Sequence, residues 1–363
     1  MHVARSVEPS ISPLDEELNL LPGGWTPLMH ESMVRLGTWL PFDAAARELG
    51  FHRGMTLDGE TVRRNTERAG KLYMPEQERV PDKELAQVPE RQAISLDGSF
   101  VPLNSKEWVE AKMLTISTVN AARECTDVSY FARTAPYGEF SKQARGEVAR
   151  RGVKKSAEVC AVADGADWIQ SVVADHRTDA LRILDFYHSA ERLAGIGHAL
   201  FDPDKTAFDS WFGRQRLELR DGDPDTLLSD LYQLSQMHPE HASLINEHLE
   251  YFAKRRSQID YNLFKQAGWP IGSGSGEAAH KVVVQARMKQ AGMRWAIRNV
   301  NPMLAVRALA CNDRWDAAWT AIAKASRRPS TPPASPPAKL LPSSFVYKPL
   351  PGWRWDDAIS TKS

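Results

Sequence analysis

Apolar and polar positions along the chain change period several times. Between residues 31 and 90 the period is helical: Met33, Val34, Leu36 and Leu40 recur on one face, and the pattern resumes from Phe42 to Leu49 before Gly50, a residue suited to stop a helix. Asp58 or Thr61 is placed to cap a third helix through Val62 and Glu67, because a short side-chain oxygen accepts from the free N–H groups of a first turn. Three short helices in this order predict a helix-turn-helix-like module, preceded by an extended segment over residues 1–30.

Beyond residue 91 the texture changes to strands. Ala93-Ile94-Ser95-Leu96 predicts a strand ending at Asp97-Gly98, followed by a second over 112–117 and a third around 128–132. A helical stretch over 138–151 then leads to the short apolar run 159–163, which predicts a buried strand and also ends in Asp-Gly, at Asp164. A helix beginning near Trp168 and a fifth strand over 180–184 lead to Asp185-Phe186-Tyr187-His188. From 189 to 268 the pattern is helical or turn throughout. The glycine-rich turn 269–276 then opens a long predicted helix from Glu277 to Gln290, with Ser275 as its N-cap. The expected organisation is α/β: a helical module over 31–90, the first part of a core over 91–188, a helical insertion over 189–268, final core helices over 269–324 and a Pro/Ser-rich tail over 325–363.

Composition narrows this picture. With 363 residues, 42% of them hydrophobic and 25% charged, the chain can bury a large core. No apolar run of membrane-spanning length occurs and the start is polar, so the expected location is cytoplasmic, with no membrane partner. Cys125, Cys160 and Cys311 are scattered without CxxC spacing, which excludes a zinc ribbon and predicts small buried hydrophobes. The 46 basic and 46 acidic residues cancel, so attraction to a polyanion has to come from local excess. Lys281, Arg287, Lys289, Arg294, Arg298, Arg307 and Arg314 form one such excess, and Lys142, Arg145, Arg150, Arg151, Lys154 and Lys155 another; either suits a phosphate backbone or a solvated helix face. Arg63, Arg64 and Arg68 lie on the third helix, the one that approaches DNA in a helix-turn-helix.

The chemistry-bearing residues are carboxylates. Asp97 and Asp164 end two apolar strands, and Glu277 opens a helix whose positive end favours its ionised form. Carboxylates gathered at one sheet edge suit hard divalent cations and phosphoryl transfer, although Asp-Gly after a strand is also an ordinary turn signal. Asp185 and His188, three residues apart, form a second pair, with His188 suited either to a phosphate or to a structural bond at a helix start. Glu110 suits a cross-strand ion pair.

Taken in order, Ser95-Leu96-Asp97-Gly98, Trp108-Val109-Glu110-Ala111-Lys112, Ala163-Asp164-Gly165-Ala166-Asp167-Trp168, Ile183-Leu184-Asp185-Phe186-Tyr187-His188 and Pro270-Ile271-Gly272-Ser273-Gly274-Ser275-Gly276-Glu277 resemble the successive blocks of bacterial insertion-sequence DDE transposases of the ISKra type, in the mutator-like group. The resemblance runs from about residue 13 to about residue 319. It implies a ribonuclease-H-like catalytic core with an all-helical insertion, and Asp97, Asp164 and Glu277 as the catalytic triad holding two Mg2+ (or Mn2+) ions. The implied activity is cleavage and strand transfer at insertion-sequence ends. Asp185 and His188 match an accessory Asp-x-x-His element, which makes Asp164 the second catalytic carboxylate. Gly292-Met293-Arg294-Trp295 resembles a later block, where Arg294 is expected on phosphate and Trp295 on a base or in packing. Implied partners are terminal inverted repeats, target DNA and further copies of the chain, in a bacterial nucleoid. Relatives commonly carry a cysteine-containing segment ahead of the matched region, and this sequence starts after it. The alternatives are therefore a truncated remnant that binds DNA without catalysis and a structure-specific nuclease.

Overall fold

The computed structural model describes residues 20–21, 23–82 and 85–327, in two compact units. The first, up to residue 65, holds two complete helices, α1 (Pro27–Trp39) and α2 (Phe42–Arg53), and the start of α3 (Gly59–Glu78). Leu21, Trp25, Met33, Ala45, Leu49 and Val62 form its core. Thr26 caps α1 by accepting from the Met29 amide, so helix begins inside the segment expected to be extended. Gly54 takes a left-handed φ of 64° after α2, four residues beyond the expected stop at Gly50. Asp58 Oδ1 accepts from the Thr61 amide at 2.7 Å, which makes it the capping residue of α3. Residues 1–19 of the expected N-terminal segment, and 328–363 of the expected tail, lie outside the described residues.

The second unit is a mixed five-stranded sheet with helices on both faces. Its strands are β1 (Arg91–Pro102), β2 (Trp108–Val119), β3 (Cys125–Arg133), β4 (Glu158–Ala163) and β5 (Leu181–Leu184), in the spatial order β3-β2-β1-β4-β5. β1, β2 and β3 pair antiparallel, while β1, β4 and β5 run parallel. Parallel strands joined by helices bury both faces. Accordingly Ala93 and Val162 enter one core, whereas Ile94 and Ala161 enter the other. The second of these cores is closed by α4 (Tyr137–Arg150) and α5 (Asp167–His176), through Phe140, Val148, Ile169 and Val172. The first is closed by the helices that follow β5: α6 (Phe186–Phe201), α7 (Lys205–Asp221), α8 (Pro224–Met237), α9 (Ala242–Lys254) and α10 (Tyr261–Gln266).

After that helical run come α11 (Gly274–Ala279), α12 (Ile297–Cys311) and α13 (Trp315–Ser326), the last extending just into the expected tail. The long helix expected over 277–290 forms as one continuous helical run over 274–288, but its middle is a π-helical turn, His280–Gln285, between α11 and a short α segment, Ala286–Met288. Strand β1 likewise departs from expectation. It runs straight through Asp97-Gly98 to Pro102, because pairing with β2 continues past them, Asp97 against Met113 and Gly98 against Lys112. Here long-range pairing overrides a local turn signal. Cys160 is buried, Cys125 and Cys311 are half-buried, and all three are free thiols. Among the described residues no helix is long and apolar enough to cross a membrane.

Candidate active site

Strand register aligns the candidate carboxylates. Ser95 is level with Val162 and Ala163 with Leu184, so stepping on along each pair sets Asp97 level with Asp164, and Asp164 level with Asp185. Neighbouring strands lie about 4.8 Å apart, so the three aspartates form a row across the C-terminal ends of β1, β4 and β5. β1 parts from β4 at this point and stays on β2, which leaves Asp97 beside the edge although it is within a strand.

The three side chains live differently. Asp185 is buried and saturated: it accepts from the His188 amide at 2.8 Å, from His188 Nδ1 at 3.3 Å and from the Ser273 amide at 2.5 Å. Burial alone would raise its pKa, but these donors hold it far below the ordinary carboxylate range. It caps α6 and at the same time fastens the glycine-rich turn to β5, a tie repeated by the Phe186 amide on the Ile271 carbonyl at 2.9 Å. The two sequence blocks around Asp185 and Ser273 are thus one structural joint. Half-exposed His188 is raised to about 9 by its bond to Asp185, with Asp164 adding attraction, so it is an imidazolium at neutral pH.

Asp164 Oδ1 accepts only the Ala166 amide, at 2.9 Å. Asp97 Oδ1 accepts the Gly98 amide at 2.7 Å, and its Oδ2 lies 3.5 Å from His280 Nε2. Burial lifts the Asp97 pKa, the like charge of Asp164 lifts it further, and His280 and the Gly98 amide oppose the rise. His280 is itself 3% exposed, both of its ring nitrogens lack a hydrogen-bond partner, and burial pushes its pKa down. Sequence reasoning missed His280. The signal was Glu277-x-x-His280, a spacing that stacks two side chains on one helix face.

Glu277 stands exposed in the first turn of α11, capped by Ser273 without a side-chain bond rather than by Ser275. Its helix presses on β1: a Cβ on Gly276 would meet Ser95 Oγ at 2.8 Å, two residues before Asp97. Asp97 interacts electrostatically with His280, Asp164 and His188, and His188 also with Asp164. Among the described residues no three His, Cys, Asp or Glu side chains converge closely enough to hold a metal ion. The donor chemistry of the edge still suits a hard cation: Asp97, raised chiefly by burial and further by the like charge of Asp164, offers with Asp164 the oxygen ligands a divalent ion takes.

The expected DNA-contacting residues divide. Lys281, Lys289, Arg294 and Arg298 are exposed, and Lys289 is close enough to act on His280. Arg287 and Trp295 are corrections: both are buried, the guanidinium carbon lies 5.3 Å from the indole ring centre, and the indole N–H donates to the Met288 carbonyl at 3.0 Å. Trp295 therefore packs and cannot stack on a base. Buried Arg307 donates to the Val282 and Val283 carbonyls of the π turn, while Arg314 and Arg150 bind Glu147, and Arg151 binds Asp127. In the first unit Arg63 pairs with Glu60 at 2.5 Å and Arg64 lies 3.9 Å from the same carboxylate. Glu110 makes its ion pair with Lys112 of its own strand, not across strands.

No protein-family model matches the chain, and no curated protein matches it.

Proposed function

We propose that the chain is a DDE-type transposase with a ribonuclease-H-like core, cutting and joining DNA at insertion-sequence ends. The observation that carries this reading is the row at the sheet edge: Asp97 and Asp164, the residue after β4, fall level when the parallel register is continued two residues past Ser95–Val162 and have oxygen atoms to spare, whereas Asp185 in the same row is used up by structural bonds. The helical segment between β5 and α11, and the block order quoted above, support the same assignment.

Asp97 and Asp164 would hold divalent cations, Mg2+ or Mn2+, with Glu277 reaching in from α11 once DNA is bound. When present, such ions activate an attacking hydroxyl and neutralise a leaving oxygen. The chain's own residues do the rest. His188, a standing cation beside Asp164, attracts the phosphodiester and offsets carboxylate repulsion of the DNA. His280, whose Nε2 lies 3.5 Å from Asp97 Oδ2, walls that carboxylate on its helix side. Lys281, Lys289, Arg294 and Arg298 supply exposed positive charge for flanking phosphates.

The test is incubation of the purified chain with labelled terminal-repeat DNA and MgCl2. Nicking is expected, with loss in Asp97→Ala and Asp164→Ala; cleavage that persists in either variant overturns the assignment. The exposure of Glu277, with no three metal-ligating side chains converging among the described residues, favours one second reading, DNA binding without catalysis. That reading expects end binding by the wild type and no metal-dependent nick.

A further inference from the structure

Two arginines lie on the carbonyl side of the carboxylate edge, tied to the turn that carries Asp164. Arg79, Arg151, Arg177 and Arg256 each sit on a carboxylate. Arg192 of α6 and Arg255, just after α9, have none among the described residues. Their guanidinium carbons lie 3.5 and 4.0 Å from the ring centre of Tyr251. Two groups that close to one ring centre cannot share a face without overlapping, so the ring is sandwiched between two cations. A π face attracts each cation and holds it in place.

The sandwich is fastened to the site. Tyr251 Oη donates to the Asp164 carbonyl at 2.7 Å, and Arg255 Nη2 donates to the Gly165 carbonyl at 2.9 Å. Arg192 follows His188 by one helical turn. Gly165 accommodates the approach, with a φ of 82° and a position where a Cβ would meet Arg255 Nε at 2.7 Å. His248, whose Nδ1 is 3.5 Å from Arg192 Nη1, is kept neutral by burial and by that arginine, so it supplies no counter-charge.

We propose that Arg192 and Arg255, braced on Tyr251, form a phosphate clamp that holds the DNA backbone beside the bond to be cut. The chemistry fits because a guanidinium fork matches the two free oxygens of a phosphodiester, and stacking removes most of the side-chain freedom that binding would otherwise cost. The clamp rests on the transposase reading for its place in a reaction; its ligand, a phosphodiester, is argued from two half-buried guanidinium groups set next to the Asp164 turn with no carboxylate on either among the described residues. It also gives the helical region after β5 a role: α6 and α9 carry the clamp to the strand edge.

The test is fluorescence anisotropy of a fluorescein-labelled duplex in CaCl2, over a salt titration, with the full chain. Arg192→Gln leaves both turn carbonyls bonded; it is expected to weaken binding about tenfold and to flatten the slope of log K against log salt by about 0.9, one phosphate contact. Arg192→Lys is expected to keep the slope. Tyr251→Phe, which retains the ring and both cations, keeps it too. Circular dichroism checks that each variant is folded. Unchanged affinity and slope in Arg192→Gln, with wild-type nicking intact, overturns the clamp and spares the transposase reading. A flattened slope in a protein that never nicks DNA upholds the clamp and overturns the reading. A wild type that binds no duplex at low salt overturns both.

Discussion

At the end of β5 the Asp185 carboxylate accepts from three N–H groups; at the same level on β1, Asp97 accepts one and faces an imidazole whose nitrogens make no hydrogen bond. The two acids share a sheet edge, and their surroundings push them in opposite directions: Asp185 is held ionised by donors, and Asp97 is pushed toward protonation by burial and by Asp164. A carboxylate that folding has saturated serves the fold. One that folding leaves under-satisfied serves whatever binds there.

The sharpest way to break this contrast is Asp185→Ala. It removes the α6 cap and leaves the buried Ser273 amide without its acceptor, so it should destabilise the protein by about 2–4 kcal/mol, a lost cap plus an unpaired buried donor. Urea unfolding measures this. A loss below about 1 kcal/mol would place Asp185 with Asp97 as a functional acid.

How much of this was legible in the sequence depends on the range of the forces involved. The alternation around Ala93–Leu96 and the apolar run before Asp164 marked their strands, because burial on each face is written into neighbouring residues. The end of β1 was not legible: Asp97-Gly98 is a turn signal, and only pairing with Lys112 and Met113 keeps it extended. The burial of Arg287 and Trp295 was not legible, because the two side chains meet each other in a tertiary contact while their residue types equally suit a phosphate-binding face. The π turn over His280–Gln285 was not legible either, since the Arg307 guanidinium that bonds the Val283 carbonyl lies 24 residues further on. The saturation of Asp185 was equally hidden, since one of its donors comes from 88 residues downstream.

Gly165→Ala tests the other acid of the row. The left-handed φ and contacts of 2.7–3.0 Å with Arg255, Leu184 and Tyr251 leave no place for a methyl group. Strain and displacement together should cost about 2–3 kcal/mol. Because the residues displaced brace Asp164, cleavage should fall further than stability alone explains, which single-turnover rates on the still-folded fraction would show.

A smaller effect separates the two acids by pH. The His188 pKa is raised to about 9 in the folded chain, so the stability its pair contributes is complete below the ordinary histidine value and is lost as pH rises through about 9. Asp185, held low, contributes stability above the ordinary carboxylate range and loses it only as pH falls below that range. Because His188 is half-exposed, solvent screening limits the change between pH 6 and pH 9.5 to less than about 1 kcal/mol. Denaturation midpoints in His188→Gln should show a flatter profile over that window; an unchanged profile would remove the pair from the joint.

The smallest effect on stability is expected at Asp97, and its sign is the opposite of that at Asp185. A carboxylate with a raised folded pKa costs stability once it is ionised, and the cost vanishes when pH falls below the ordinary carboxylate range. Asp97→Asn keeps the shape and removes the charge beside Asp164, so without metal it should leave stability at pH 7 unchanged or raise it by up to about 1 kcal/mol, as functional sites commonly trade stability for activity. Adding MgCl2 should reverse the order, because only the wild type gains from binding the ion. Thermal melts of both proteins with and without MgCl2 decide it. If Asp97→Asn is strongly destabilising in the absence of metal, Asp97 is a structural acid like Asp185, and the contrast on which the active-site assignment rests disappears.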